Sequence, residues 1–335
     1  MNHRVFGTLA DGQEVLEYTI KNEYITLDVI TLGASMRRLF VRDIDIIGGY
    51  DTLEEYVADA DPFQGAIIGR VSNRIKAGRI TVGGKDYQLT KNQNGHHLHG
   101  GKLGFHRRVW KVEEASERSL TLSRLSPAGE EGYPANLFTE VTYSLTGDCL
   151  MIEFRAKADG DTPVSMTAHP FFNLNGVGSG DILDHAALIH ADRYTEVDDT
   201  LIPTGNRPSV LGTPMDFRVE KTLRRDFSAL PSGYDHNLLF SADAPKVSVC
   251  GKLLTHAASF AGKRVKMDVF TDAEGAQLYS GDYLNETLKF KGGTKKAKNF
   301  AFCFEPQAEP DGIHRGVPPL SAGDMYTSTI VYRLT

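Results

Sequence analysis

The chain has 335 residues, of which 41% are hydrophobic and 24% charged. That composition fits a folded globular protein and leaves room for one large all-β unit or two ordinary domains. A formal net charge of −6 with no basic block argues against nucleic acid or an anionic membrane as the main partner.

The opening Met1-Asn2-His3-Arg4-Val5-Phe6-Gly7 lacks the apolar core of a secretion signal. No apolar run approaches the roughly 18 residues of a membrane-spanning helix. Cys149, Cys250 and Cys303 are far apart and in no metal-ligand spacing. They are expected to be reduced core thiols, which places the protein in the cytoplasm.

Period-two alternation dominates. Val15–Ile20, Tyr24–Ile30 and Met36–Arg42 read as strands. A short helix is expected at Thr52–Val57, with Asp51 as cap and Glu54 three residues on. Two tight hairpins follow. Ile80–Val82 and Lys85–Leu89 flank Gly83-Gly84, and Phe138–Leu145 and Leu150–Ala156 flank Gly147-Asp148. The second sets Val141, Tyr143 and Leu145 opposite Leu150, Ile152 and Phe154. Further strands are expected at Ala187–His190, Lys246–Val249, Val265–Phe270, Gln277–Ser280 and Tyr326–Leu334, and helical character at Lys221–Leu230. Strands with short turns and no βαβ rhythm imply an all-β fold, a large antiparallel β-sandwich with a few short helices. Without an internal repeat or linker, residues 1–335 read as a single domain.

Five stretches carry candidate chemistry. In Gly65–Ile75, arginines within a glycine-punctuated apolar run need partners, either an internal carboxylate or a hydroxyl-rich ligand. In Asn92–Gly101, three histidines lack a complementary metal-ligand cluster. As a strand, this stretch puts His97 and His99 on one face and His96 on the other. Gly100-Gly101 would leave His99 open to an approaching ligand. His169, extended by Pro170, sits among aromatics and can exchange protons near neutrality. Asp235 lies where a turn enters a strand, which is also a common structural place for aspartate. On Asn299–Gln307, Phe302 and Phe304 share one face, while Ala301, Cys303 and Glu305 share the other. Glu305 thus has small neighbours, and partial burial would raise its pKa toward that of a useful base. On this strand alone the plainer reading, a rim glutamate held by a loop, stands ahead.

Taken in order, the stretches resemble the galactose mutarotase (aldose 1-epimerase) family. The resemblance runs through Gly69–Ile75, Leu98-His99-Gly100-Gly101, Gly129–Pro134, His169–Leu174, Leu201–Gly205, Asp235-His236-Asn237, Gln277–Gly281 and Phe302–Gln307. It implies a large, many-stranded β-sandwich with a sugar site in a shallow cleft on one sheet. It also implies anomer interconversion of a free hexose such as galactose or glucose, with Glu305 as base and His169 as acid on opposite sides of the ring. Asn73, Arg74, His99, Asp235 and Gln277 would hold the other hydroxyls. No metal or cofactor is implied, and a monomer or homodimer is expected.

The sequence departs from the family at Ala168 and Pro306, at Asp282 beside Gly281, and at Glu309, where relatives commonly carry an aromatic. The last bears on the preferred sugar. Three rivals remain: a glycoside hydrolase using Glu305 and Asp235, a non-catalytic sugar-binding protein, and a mutarotase for sugar phosphates. The last would draw on Lys295, Lys296 and Lys298.

Overall fold

The computed structural model describes residues 2–59 and 63–335. Three larger antiparallel sheets build the molecule, with four two-stranded ones beside them among the described residues. The hairpin expected near residue 147 forms as Leu137–Thr146 and Cys149–Ala158, with Val141 opposite Phe154, Tyr143 opposite Ile152 and Leu145 opposite Leu150. It is the centre of a ten-stranded sheet. Cys149–Ala158 pairs with Met325–Leu334, which pairs in turn with Lys266–Thr271 and then Lys252–Ala261. A five-stranded sheet runs in chain order from Asn2–Thr8 to Ile44–Asp45. A four-stranded sheet is ordered Ala191–Tyr194, Asp235–Phe240, Gly275–Tyr279, Cys303–Gln307.

One buried cluster joins all three sheets. Leu27 and Met36 come from the five-stranded sheet, Tyr143, Ile152 and Tyr332 from the ten-stranded sheet, and Leu238, Leu278 and Phe304 from the four-stranded sheet. The small sheets therefore lie against the inner face of the large one, as a sandwich. Phe302 and Phe304 point into this core and meet Phe260 at ring-centroid distances of 4.7 and 5.2 Å. Alternation then turns Cys303, Glu305 and Gln307 to the other face.

Two expectations need correction. The early helix is Leu53–Ala58, capped by Thr52 rather than Asp51, and its capping box closes on Glu55 rather than Glu54. The Thr52 hydroxyl accepts from the Glu55 N–H at 3.3 Å, and the Glu55 carboxylate accepts from the Thr52 N–H at 3.0 Å. Lys221–Leu230 is a short strand followed by a 3-10 helix, Leu223–Ala229. No helix among the described residues is long and apolar enough to cross a membrane.

Candidate active site

The four-stranded sheet sets three residues in one cross-strand row: Asn237 opposite Gln277, and Gln277 opposite Glu305. Directly opposed residues share a face, so this row lines the side away from the core. Asp235, Tyr279 and Cys303 form the next row on the same face. Cys303–Gln307 is an edge strand of its sheet, a place where Pro306, which lacks an N–H, is tolerated.

His169 arrives from a second direction. Thr167–Ala168 pairs with Ile67–Ile68, and the His169 N–H donates to the Ala66 carbonyl at 3.0 Å. Ala168, one of the departures, faces the core with no exposed surface. The His169 ring lies 3.4 Å from Glu305, Nε2 to Oε1, and its Nδ1 lies 3.4 Å from the Cys303 sulfur. Phe63 and Phe171 wall it at 5.7 and 5.0 Å between ring centroids. Burial pushes its pKa down to about 4, opposed by a hydrogen bond to its own backbone. A carboxylate at 3.4 Å works the other way, because it favours the imidazolium. Glu305 is 1% exposed, more deeply buried than the partial burial expected.

A relay of hydrogen bonds runs along the floor. Asn73 Nδ2 donates to Gln277 Oε1 at 3.1 Å, and Gln277 Nε2 donates to Asp235 Oδ1 at 2.6 Å. Arg74 Nε donates to Gln93 Oε1 at 2.7 Å. His99 and Asn73 exchange bonds, His99 N–H to the Asn73 carbonyl at 3.0 Å and Asn73 N–H to His99 Nδ1 at 3.1 Å. All seven expected site residues line one cavity of about 280 Å3. That is just under the range of drug-sized ligand sites and suits a single sugar ring. Phe63, Gln93, Tyr279 and Tyr283 line it too and were not foreseen. Tyr279 is the one with a usable signal, since it lies two residues beyond Gln277 on a strand and so shares its face.

The histidine run resolves differently from the strand reading. His97–Leu98 is only a two-residue strand, and His99 has a φ of +50°, which breaks the alternation. His97 turns away and bonds the Tyr133 hydroxyl at 2.7 Å, while Leu98 and His99 face the cavity together. His96 accepts from the Ala77 N–H at 3.0 Å. Gly100 does not clear a path for a ligand, since a Cβ there would come 1.8 Å from the Gly69 carbonyl oxygen. It is glycine because backbone packs on backbone.

His99, His169 and Glu305 bring potential metal-ligating atoms within 4.8 Å of one another. Tautomer chemistry works against a cation there. His99 Nδ1 accepts an N–H, so its lone pair is on that nitrogen and the neutral ring carries its proton on Nε2. Burial, then the nearby positive charge of His169 when protonated and of Arg74, hold His99 well below its ordinary pKa. It is therefore a neutral donor, suited to a hydroxyl.

The remaining expected features lie outside the cavity. The Arg70 guanidinium spends its donors on Ser126, Thr162 and the carbonyls of Ser126, Pro127, Pro134 and Ala135, so its pairing is structural, through hydroxyls and carbonyls rather than the expected internal carboxylate. Glu309 is not part of the cavity lining. Thr195 donates to it at 2.9 Å, and Arg207 and Arg315 approach at 2.6 and 3.3 Å. Burial pushes its pKa up, but these three partners outweigh that and hold it low. Asp282 adds no free charge near Gln277, because Lys298 pairs with it at 3.0 Å. Lys296 is 1% exposed and ion-paired with Asp59 at 2.9 Å, and Lys295 lies 3.5 Å from Glu286. Of the basic run, Lys296 is thus committed to a buried pair, while the exposed Lys295 and Lys298 pair with Glu286 and Asp282, and none of the three lines the cavity.

An all-β sandwich whose cavity pairs an imidazole with a carboxylate above a floor of amides is the architecture of a carbohydrate isomerase. Comparison with known proteins agrees. The aldose 1-epimerase family model matches residues 17–333. The rat galactose mutarotase is 39% identical, over 99% of this chain and 97% of that protein. The human galactose mutarotase is 38% identical over the same shares, and the Escherichia coli K12 aldose 1-epimerase 34% identical over 83% of this chain and 82% of its own. Among solved structures, an aldose epimerase homologue from C. elegans superposes with a TM-score of 0.87 at 29% identity, covering 95% of this chain and 98% of the other. The chain belongs to the aldose 1-epimerase (galactose mutarotase) family, and is an enzyme acting on carbohydrates.

Proposed function

We propose that this protein interconverts the α and β anomers of free hexoses such as galactose and glucose, with Glu305 as base and His169 as acid. The contact between His169 Nε2 and Glu305 Oε1, 3.4 Å apart in the cavity, carries the reading. The reaction moves one proton off the C1 hydroxyl and one onto the ring oxygen. Both oxygens are bonded to C1, so an acid and a base standing side by side can serve them, rather than the opposed pair expected from the resemblance. Glu305 takes the hydroxyl proton, the His169 imidazolium protonates the ring oxygen, and the bond from C1 to that oxygen breaks. C1 then turns about its bond to C2, and the ring closes on the other face as both protons return.

The Asn73–Gln277–Asp235 relay, Arg74 and the His99 donor hold the remaining hydroxyls. The core shared by three sheets supports one domain over the whole chain. Free thiols favour a cytoplasmic protein, and a monomer or homodimer fits a cavity lined by one chain.

Exchange NMR or polarimetry on freshly dissolved α-galactose, with Glu305→Gln and His169→Asn, tests this. Loss of about 10²–10⁴ in kcat is expected for each, with the circular dichroism unchanged. A Glu305→Gln protein that mutarotates at near wild-type rate overturns the assignment. Comparing galactose, glucose, arabinose and their phosphates then ranks substrates.

A further inference from the structure

Cys149 and Cys250 are 101 positions apart in sequence, yet Cys250 packs against the apolar cluster that holds Cys149, and Lys252, two residues on, pairs with Glu153 of the Cys149 strand at 2.8 Å. Cys149 opens the strand Cys149–Ala158 opposite Arg333. Cys250 sits in the tight turn of the Lys246–Val249 and Lys252–Ala261 hairpin, where it and Gly251 both have positive φ, +49° and +76°. The two belong to a separate apolar cluster with Val249, Leu254, Phe270 and Val331. Ile152 and Tyr332, which alternate with residues of this cluster along their strands, face the main core instead. The pair therefore lies on the outer face of the ten-stranded sheet, and neither residue lines the sugar cavity.

We propose that Cys149 and Cys250 form a thiol–disulfide modification site that reacts with low-molecular-weight disulfides of the glutathione class. The two cysteines have different parts. Cys250 is half-buried and reachable, whereas Cys149 is 6% exposed. The neighbouring Cys149 thiol lowers the Cys250 pKa to about 7, making it the attacking thiolate. Cys149 is held in its thiol form by that same contact, by burial and by Asp148, to which it donates at 3.4 Å.

In the first step the Cys250 thiolate attacks oxidised glutathione, forming a mixed disulfide and releasing one glutathione thiolate. The negative neighbour of Cys149 is then gone, so Cys149 loses its proton more readily. Its thiolate attacks the Cys250 sulfur and expels the second glutathione. Two protein thiols are oxidised to one disulfide while one oxidised glutathione is reduced to two thiols. The product ties the hairpin turn to the start of Cys149–Ala158 and closes a loop of about 100 residues, a length at which a cross-link constrains the unfolded chain strongly. Cys303 is fully buried beside His169 and takes no part.

The test incubates the native protein with millimolar oxidised glutathione. Thiols titrated after denaturation are expected to fall from three to one, with peptide mapping joining Cys149 to Cys250. Anomerase activity should persist and Tm should rise by several degrees. Cys149→Ser should stop at a glutathione adduct on Cys250, and Cys250→Ser should form neither adduct nor disulfide. Three titratable thiols after incubation, a bridge to Cys303 or between molecules, or a Tm that does not rise overturns the proposal.

Discussion

The Asn73 N–H donates to His99 Nδ1 at 3.1 Å while the His99 N–H donates to the Asn73 carbonyl at 3.0 Å. This reciprocal pair fixes both the place of the imidazole and its tautomer. Both residues have positive φ, +60° and +50°, a conformation uncommon outside glycine and reached most readily by asparagine, aspartate and histidine. A neutral His99 with its proton on Nε2 should appear in nitrogen NMR of histidine-labelled protein at pH 7. His99→Ala is expected to reduce kcat/KM by about 10–100-fold, the worth of one buried hydrogen bond to substrate. Dialysis against EDTA should leave kcat unchanged. A protonated Nδ1, or activity that returns only with added metal, would reverse the tautomer argument.

Gln277 ties the floor together by accepting from Asn73 and donating to Asp235. Gln277→Leu removes both bonds at once and strands two polar partners, each at a cost of about 1–3 kcal/mol. The expected result is a KM raised by about 10–100-fold with a smaller fall in kcat, because the floor orients the sugar rather than moving protons. Equal losses in kcat and kcat/KM, with KM unmoved, would show that the relay acts only in the transition state.

The sheets were legible because period-two alternation and glycine-centred turns act locally. The hairpin around Gly147 is correct to the residue pair. Lys252–Ala261 escaped because His256-Ala257-Ala258-Ser259 lacks the β-branched and aromatic residues that mark a strand, and tertiary pairing on both sides imposes it instead. Within the site, residues on strands or beside a proline were readable, since alternation fixes their face. The side of the chain on which His99 emerges was not, because one left-handed residue redirects it. Phe63 and Gln93 stand on irregular segments that carry no periodic signal. The meeting of Cys149 with Cys250 is long-range, and only the folded sheet brings it about.

Lys296 tests how the loop following Tyr283 is anchored. Its ammonium lies 2.9 Å from both oxygens of Asp59, and the two residues are 1% and 3% exposed. Removing one member of a buried pair leaves the other charge without its compensation, at a cost of about 3–5 kcal/mol. Lys296→Met should lower the unfolding free energy by that amount in urea titrations. Selectivity between hexoses and their phosphates should stay as it was. A selective loss of activity toward sugar phosphates would instead give this lysine a role in binding.

Acid should unfold the protein in two stages. His97 and His185 are pushed down to about 4 and His106 to about 3, in each case first by burial. In the unfolded chain histidine titrates near 6.5. Between those values the unfolded state binds more protons than the native state, so stability rises with pH across that window. Their contribution is fully present above pH about 6.5 and is lost progressively toward pH 4. Buried carboxylates act lower. Burial pulls Asp268 up, but hydrogen bonds from His256 and Ser259 prevail and hold it at about 2. Its contribution, present above the usual carboxylate range near 3.9, fades as pH falls toward 2. Urea midpoints measured from pH 8 to pH 3 should therefore be flat above pH 7, begin to fall between 6.5 and 5, and fall further below 4. A curve that stays flat down to pH 5 would mean that these histidines are charged or solvated in the native protein, and the neutral donor assigned to His99 would fall with them.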